Sequence, residues 1–476
     1  MRHQTSLSRF QSFAPAAALL AAIGLLGVSA PAMAQSAIGP ATQAWADQAR
    51  SGRADLLIIG DSTVLFGGHG FDAGLIKAGA SEFGLAGTGL MGASSASGEG
   101  HASFFNTNSG FTQVFPATAP SAALGYVWDR AAVAGSTNAT FYTSRVDIRP
   151  EPLLQPDEAY DWHVYLIANQ PDGATAGAYH RLGYSPYTTL QTFPTVTVPF
   201  GGVERLSFPA TAQATTASEL ILRQVTHATV LYNRRQTVDN QGITVTSWGY
   251  GGKTMLDFYY DRLLSMTQDG RSALLSAAVD GGSGKLNVLV IEGFNDRNET
   301  DPSLAGNPDG DSPEAFLDNV LGSINLLRDD WTAGGHDPAD LCFTVVGMYD
   351  MANGSNVDLI EYADKLRELA WSDPQISFVD LRQATPDFAT GDAAGYFADT
   401  LHLSALGSEV YGAAMLGELI VPRPGDANAD GVVDLQDFVI LRNNFGGPGT
   451  FYDADFNGDG IVDLEDFVIL RNNFGT

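Results

Sequence analysis

Four apolar runs, each followed by a polar loop, constrain the fold of this chain more than any other feature. They cover residues 54–59, 286–291, 341–348 and 376–381. A short apolar run bounded by turn residues is typical of a strand buried on both faces of a parallel sheet. Helical patterns alternate with the strands, over residues 254–266, 313–331, 357–370 and 404–420. This alternation predicts an α/β fold whose active residues lie at the carboxyl ends of the strands.

Residues 95–245 interrupt the alternation. They are rich in Thr, Tyr, Phe, Pro and Gly, and short β-like runs cover 141–148, 163–168, 195–198, 220–222 and 228–233. Several short runs of this kind indicate an all-β sandwich, and a surface loop tolerates such an insertion. We therefore predict an inserted all-β module. Its role is open between a carbohydrate-binding or substrate-shaping module and an inert structural insertion.

The beginning of the chain and its charge indicate where the protein acts. Arg2 and Arg9 precede an apolar run over 16–28, and Ala32-Met33-Ala34 fits a cleavage site, so residues 1–34 read as a secretory signal peptide. An uncleaved anchor is the alternative, although no later segment reaches the roughly 20 apolar residues of a membrane span. The net charge of -29 argues against nucleic acid and against an anionic membrane surface. We expect a secreted, extracellular or cell-surface protein.

The chain ends in an internal repeat, in which residues 426–446 return almost unchanged as 455–475. Each copy opens with Asp-x-Asn-x-Asp-Gly and continues with further carboxylates, as an EF-hand calcium loop does. The predicted Ca²⁺ ligands are Asp426, Asn428, Asp430, the Val432 carbonyl, Asp434 and Asp437 in the first copy, and Asp455, Asn457, Asp459, the Ile461 carbonyl, Asp463 and Asp466 in the second. A merely solvated acidic tail has no reason to repeat this spacing. We therefore predict a small calcium-binding helical domain.

Tandem loop-then-helix halves at a chain end resemble a dockerin domain, here over residues 425–476. The resemblance implies two structural Ca²⁺ ions and docking to a cohesin-type partner on a scaffold or cell surface. Leu435-Gln436 and Leu464-Glu465 match the recognition positions of the family, and the near-identity of the halves implies two docking orientations. Whether this chain has a cohesin partner is open at this point.

Three short motifs supply the groups that serine-based acyl transfer needs. Gly60-Asp61-Ser62 follows the first predicted strand, so a serine hydroxyl is exposed at the sheet edge as a nucleophile. Asp399 and His402 stand three residues apart before a helix, where the imidazole can take the serine proton and the carboxylate can orient it. Asn295, after the strand at 286–291, offers an amide to a developing oxyanion. Each motif alone also fits an ordinary turn or a surface histidine, but together they predict a catalytic site.

These motifs resemble the blocks of the SGNH (GDSL-type) hydrolase superfamily, over about 54–89 and 246–421. The resemblance implies a flavodoxin-like three-layer α/β/α fold and a serine esterase that needs no catalytic cofactor. The implied roles are Ser62 as nucleophile and oxyanion amide, Gly252 (or Gly251) and Asn295 as further oxyanion donors, and Asp399 and His402 as the rest of the triad. Gly252 follows a further predicted strand at 243–247. Two departures are Thr63, where the family has Leu, and the long insertion between the first two blocks, which leaves the substrate open.

The predicted organisation follows from these features. It comprises a signal peptide (1–34), a hydrolase domain in two parts (35–94 and 246–421), a β-rich module (95–245) and a dockerin-like domain (425–476). Export, a β module and a dockerin-like tail together favour a polysaccharide substrate. We predict a secreted serine esterase that removes O-acetyl or similar groups from a glycan. The alternatives are a lipase or phospholipase of the same superfamily and a non-catalytic glycan-binding or adhesion protein.

Overall fold

The structure is a computed structural model of the chain. It describes residues 38–65, 70–87, 89–92, 105–108, 111–114, 131–134, 136–142, 159–168, 170–182, 189–211, 218–237, 240–249, 252–280, 284–296, 312–352, 356–420, 424–428, 433–449, 453–457 and 460–475. The predicted signal peptide lies outside these residues, as do Gly251, Asp430, Val432 and Asp459.

A five-stranded parallel sheet forms the centre of the α/β part, in the order β13-β1-β14-β15-β16. The strands are β1 (Arg53–Gly60), β13 (Gly242–Gly249), β14 (Leu286–Ile291), β15 (Leu341–Gly347) and β16 (Ile376–Asp380). Every residue of β1, β14, β15 and β16 is buried, as expected for parallel strands covered by helices on both faces. The four strands predicted from the apolar runs are therefore present. The run before Gly252 joins them as an edge strand.

The described helices of this part are α1 (Pro40–Ser51), α2 (Ser62–Leu65), α3 (Phe71–Phe83), α4 (Met255–Asp257), α5 (Gln268–Ala278), α6 (Pro313–Ala333), α7 (Asn356–Ser372), α8 (Leu381–Ala384), α9 (Phe388–Ala393) and α10 (Ala405–Leu419). The helical patterns over 313–331, 357–370 and 404–420 correspond to α6, α7 and α10, whose ends lie close to the predicted positions. Ser312 and Ser404 cap α6 and α10, because each hydroxyl accepts a hydrogen bond from an amide of the first turn.

One helical prediction needs correction. The helix expected over 254–266 is not regular, since α4 ends after one turn and the chain continues as a π-helix over Phe258–Leu263. Helices α3, α5, α8 and α9 were not predicted from the sequence. Gly74 and Gly79 lower the intrinsic helix propensity of α3, which tertiary packing overrides.

The inserted region folds as two antiparallel sheets, in the orders β10-β7-β12-β5-β4, with β2 on β12, and β3-β6-β11-β8-β9. Their strands are β2 (Met91–Gly92), β3 (Phe105–Asn108), β4 (Phe111–Val114), β5 (Ala131–Ala134), β6 (Ser136–Tyr142), β7 (Ala159–Ala168), β8 (Ala174–Leu182), β9 (Thr189–Val198), β10 (Glu204–Thr211), β11 (Ser218–Thr226) and β12 (Ala228–Thr237). The predicted all-β insertion is confirmed.

Strand β7 shows how the β module joins the α/β part. Its side chains alternate between two hydrophobic cores, as the period of two in a strand requires. Trp162 and Val164 belong to the core between the two antiparallel sheets. Tyr165 and Ile167 belong to the core of the α/β part. Strand β7 is thus buried on both faces along most of its length, and the module is packed on the α/β part rather than tethered to it.

Polar contacts reinforce this junction at the end of α5. Arg234 of β12 is fully buried, and its Nη1 donates to Ala277 O at 2.7 Å and to Ala278 O at 2.9 Å. The Tyr165 hydroxyl donates to Asp280 Oδ2 at 2.8 Å. Positive charge at the end of a helix is favourable because the last carbonyls there have no partner within the helix.

The C-terminal tail has its own small core. Helices α11 (Leu435–Asn444) and α12 (Leu464–Asn473) pack through a buried cluster that includes Val433, Leu441 and Leu470. In the part of the chain that the structure describes, no helix has the length and hydropathy needed to cross a membrane.

Candidate active site

Strand register brings the predicted motifs to one edge of the sheet. Gly60, the last residue of β1, pairs with Gly249 on one side and with Ile291 on the other. Because the strands are parallel, the loops after all three leave the sheet at the same level. Each loop carries one predicted site residue: Ser62 after β1, Gly252 after β13 and Asn295 after β14.

Asp61 shapes the turn that presents Ser62. Its Oδ1 accepts from the amide of Thr63 at 2.8 Å and from the hydroxyl of Thr63 at 2.7 Å. Ser62 is the first residue of α2, and only Asp61 separates it from the end of the buried strand β1. Thr63, which departs from the family pattern, contributes a second hydrogen bond that Leu cannot make. Burial raises the pKa of Asp61, against the opposing effect of these hydrogen bonds.

Ser62, His402 and Asp399 form a continuous relay. Ser62 Oγ lies 3.0 Å from His402 Nε2, and His402 Nδ1 lies 2.8 Å from Asp399 Oδ2. In the tautomer with hydrogen on Nδ1, the ring donates to Asp399 and accepts from the serine hydroxyl, as a general base must. The structure thus brings together three residues that are up to 340 positions apart in the chain.

Backbone amides hold Asp399 in the ionised state that the relay needs. Its Oδ1 accepts from Leu401 N at 2.8 Å and from His402 N at 2.7 Å. Partial burial acts to raise the pKa of Asp399, but the hydrogen bonds from His402 and Leu401 outweigh it, so the pKa lies below its usual value. The carboxylate is 46% exposed, which leaves the relay open at the protein surface.

Close packing of α10 against α3 brings His402 to Ser62. The two helices meet at Gly74 and Gly412, and a Cβ on Gly412 would lie 2.3 Å from the carbonyl carbon of Gly74. Ser408 Oγ also donates to Gly70 O, at the start of α3, at 2.6 Å. Since α3 begins soon after Ser62 and α10 soon after His402, this helix pair sets the distance between them.

Asn295 lies between the serine turn (residues 61–63) and the segment 252–254. Its Nδ2 donates to Asp61 Oδ2 at 3.0 Å and to Lys253 O at 2.9 Å. A side-chain amide has two hydrogens, so both have acceptors here, and donation to an oxyanion requires one of these bonds to lengthen. Gly252, one residue before Lys253, has φ +72° and is exposed. The bond from Asn295 to Lys253 therefore holds the segment that carries the Gly252 amide.

Two buried acids next to Asn295 were missed by sequence reasoning. Glu292 and Asp296 are 2% and 0% exposed, and Asp296 Oδ1 accepts from Met255 N at 2.9 Å. Burial raises the pKa of Asp296 to about 8. Burial, followed by the charges of Asp61 and Asp296, raises the pKa of Glu292 well above its usual value. An acid directly after a buried strand was the available signal, but a loop carboxylate is usually solvated.

The donor set of the tail is compatible with a hard cation. Asp437 and Asp466, the last predicted ligand of each loop, are both 0% exposed. Asp437 accepts from the amides of Asn428 and Asp434, and Asp466 from those of Asn457 and Asp463. These neutral donors leave the buried negative charges in place, which suits Ca²⁺. Within the described part, where three of the twelve predicted ligands are missing, no group of three or more acidic, His or Cys side chains has metal-binding geometry.

Comparison with known proteins agrees with this architecture. Residues 424–475 match the dockerin type I domain family. The match confirms the resemblance seen in the repeat. No curated protein sequence matches the chain.

A structure of a peptidoglycan O-acetylesterase has the same fold, with a TM-score of 0.56 and 16% sequence identity. It covers 80% of this chain and 96% of that chain, so the match extends beyond the hydrolase segments into the β module. The predicted α/β fold is confirmed. A family two carbohydrate esterase from Clostridium thermocellum, in complex with cellohexaose, is also similar, with 9% identity, 61% and 94% coverage and a TM-score of 0.27.

Proposed function

We propose that this protein is an exported serine esterase that removes O-acetyl or similar acyl groups from a polysaccharide. The observation that carries the proposal is the relay from Ser62 Oγ through His402 to Asp399, with contacts of 3.0 Å and 2.8 Å. A binding protein has no need of a nucleophile, a base and an orienting carboxylate in hydrogen-bond contact at a strand end.

The reaction uses proton transfers that these residues can make. His402 Nε2 takes the proton of Ser62 Oγ as the oxygen attacks the ester carbonyl, and a tetrahedral intermediate forms. His402 then returns the proton to the departing sugar hydroxyl, which leaves an acyl group on Ser62. Water, deprotonated by His402, attacks this acyl-serine, and the carboxylic acid product leaves while His402 returns the proton to Ser62; the released acid then ionises in solvent. Asp399 stabilises the imidazolium in both halves.

The oxyanion hole is proposed to lie between the serine turn (residues 61–63) and the segment 252–254. The backbone amides of Ser62 and Gly252 are its donors, and Asn295 joins them when its bond to Asp61 or Lys253 lengthens. Removing one such donor typically costs roughly 10²–10³ in turnover. The surface exposure of Asp399 supports a polymeric substrate, because a chain with bulky neighbours can approach an open site.

The tail is proposed to attach the enzyme to a cohesin-type partner through the dockerin domain. When bound, two Ca²⁺ ions would hold the two loops in place. Asp426, Asn428, Asp434 and Asp437 would contribute side chains in the first loop, with their counterparts in the second. Isothermal titration of the metal-free protein with Ca²⁺ should show two sites, and titration without binding heat would contradict this assignment.

Hydrolysis of p-nitrophenyl acetate and release of acetate from acetylated xylan test the proposed activity. Ser62→Ala should lose about 10⁴-fold or more in kcat. Ser51→Ala is the matched control, because Ser51 lies just before the opposite end of β1 and its hydroxyl only bonds Asp47 O. Equal rates for wild type and Ser62→Ala would exclude the esterase and favour a non-catalytic binding protein. Faster hydrolysis of long-chain lipid esters than of acetylated glycans would favour a lipase.

A further inference from the structure

Glu292 and Asp296 flank the turn that carries Asn295, and the proposed chemistry gives neither of them a role. Each has one carboxylate oxygen that is buried and has no hydrogen-bond partner among the described residues, Oε2 of Glu292 and Oδ2 of Asp296. A buried carboxylate oxygen without a donor is unfavourable when charged, whereas a neutral acid is tolerated far better there.

Asp296 has a mechanical link to the oxyanion hole. Its Oδ1 accepts from Met255 N, the first residue of α4, at 2.9 Å. The neighbouring Asn295 holds Lys253 O at 2.9 Å. Two adjacent side chains at the end of β14 therefore hold both ends of the short segment 253–255, which directly follows Gly252. A loop held at two points keeps the Gly252 amide aimed in one direction.

The charges around the pair determine which acid holds a proton. Burial raises the pKa of Asp61 as well, but its three donors, Thr63 N, Thr63 Oγ1 and Asn295 Nδ2, favour the charged form, so it is the acid of the three best suited to remain ionised. Among the described residues, Asp257 of α4 is a further acid close to the pair, and its charge raises the pKa of both Glu292 and Asp296.

Among the described residues, the polar groups on the remaining neighbouring elements interact with partners outside the pair. Lys253 lies 3.4 Å from Asp257 Oδ1, and His402, from the loop before α10, acts on Asp61. The Tyr349 hydroxyl, which follows β15, donates to Leu401 O, and Tyr362 of α7 borders Gly293. Within the described part of the chain, the charges that act on the pair are thus negative, and a proton on the pair relieves their repulsion.

We propose that Asp296 is a positioning residue of the oxyanion hole that works as a neutral acid close to the buried acid Glu292. It holds the loop through Met255 N, and its deprotonation places a second negative charge beside Asp61 and opposes the developing oxyanion. This inference rests on the proposed esterase activity. The sign follows from the geometry: activity is full while the pair is protonated and falls as pH rises through about 8, the pKa to which burial raises Asp296.

The test is the pH dependence of kcat and KM for p-nitrophenyl acetate from pH 5 to 10, corrected for spontaneous hydrolysis. Wild type should lose activity above about pH 8, approaching tenfold per pH unit for one ionisation. Asp296→Asn keeps an acceptor for Met255 N and cannot ionise, so it should stay within about threefold of wild type at pH 7 and lack the alkaline fall. Asp296→Ala loses the acceptor and should lose about 10²-fold in kcat with little change in KM.

Asp261→Asn is the control. It removes an exposed carboxylate from the π-helix that follows α4, and it should keep the alkaline fall in activity. An alkaline fall in Asp296→Asn equal to that of wild type would overturn the proposal, as would full activity of Asp296→Ala. A readout without catalysis separates this inference from the esterase proposal. The melting temperature of Asp296→Asn should rise relative to that of wild type from pH 5 to 8. Over this range the buried acid progressively destabilises the folded wild-type protein, whereas Asn cannot ionise. A constant difference would contradict the buried acid even if Ser62 is proved to be the nucleophile.

Discussion

Arg234 offers a direct test of whether the β module and the hydrolase part are one cooperative body. Its guanidinium is fully buried at their junction and bonds the last two carbonyls of α5, at 2.7 Å and 2.9 Å. Asp55 Oδ1 lies 3.7 Å from its Nη2 and is also held by Arg53. Replacement by Met keeps the length and apolar packing of the side chain but removes the donors.

The expected loss can be worked out from these contacts. A hydrogen bond from a charged group contributes about 1.5–3 kcal/mol, so two contribute about 3–6 kcal/mol. Removal of the buried cation offsets part of this, since burial and then the charge of Arg53 lower the pKa of Arg234 to about 10. Asp55 keeps its bonds to Arg53, so no carboxylate is left alone. We expect Arg234→Met to lower the free energy of unfolding by about 3 kcal/mol.

Urea denaturation followed by the fluorescence of the six tryptophans measures this change. Arg205→Met is the control at the same junction, because Arg205 pairs with Asp280 at 2.5 Å but is 42% exposed. An exposed ion pair contributes at most about 1 kcal/mol. The role assigned to Arg234 is wrong if Arg205→Met lowers the free energy of unfolding as much as Arg234→Met does. It is also wrong if the free energy of unfolding of Arg234→Met stays within about 1 kcal/mol of that of wild type. A second, separate transition in Arg234→Met would show that the module can unfold alone.

Three further predictions concern the site and the tail. Asp399→Asn should lower kcat by about 10⁴-fold with the fold intact, because the amide favours the wrong His402 tautomer; a loss below tenfold in steady-state assays would argue against the relay. Gly412→Ala should cost about 1–3 kcal/mol and reduce kcat, since its Cβ forces α10 away from Gly74; a stable, fully active variant would show that the helix pair does not set the position of His402. EDTA should remove helical circular dichroism from the tail but leave p-nitrophenyl acetate hydrolysis within about twofold, because all proposed Ca²⁺ ligands lie in residues 426–466; loss of activity on chelation would place a metal nearer the chemistry.

Local patterns in the sequence were sufficient for the strands of the parallel sheet, the tail and the candidate residues. A parallel strand is buried on both faces, so its apolar run is visible without knowledge of its neighbours, as in Leu286–Ile291. Ser404 could be recognised as an N-cap because capping depends on residues within one turn. The calcium loops repeat, and a repeat is visible in any sequence. The roles of Ser62, His402 and Asp399 remain predictions until variants are measured.

Only the tertiary structure decided how these parts meet. The sequence indicated an inserted β module but not that one of its sheets, through Tyr165 and Ile167, shares the core of the hydrolase part. The sequence placed Asn295 at a strand end but did not show that its two amide hydrogens are donated to Asp61 and Lys253. Asp296 looks like an ordinary loop acid in the sequence. Its burial depends on residues far away in the chain, and since desolvation is set by everything that covers a group, no local pattern can encode it.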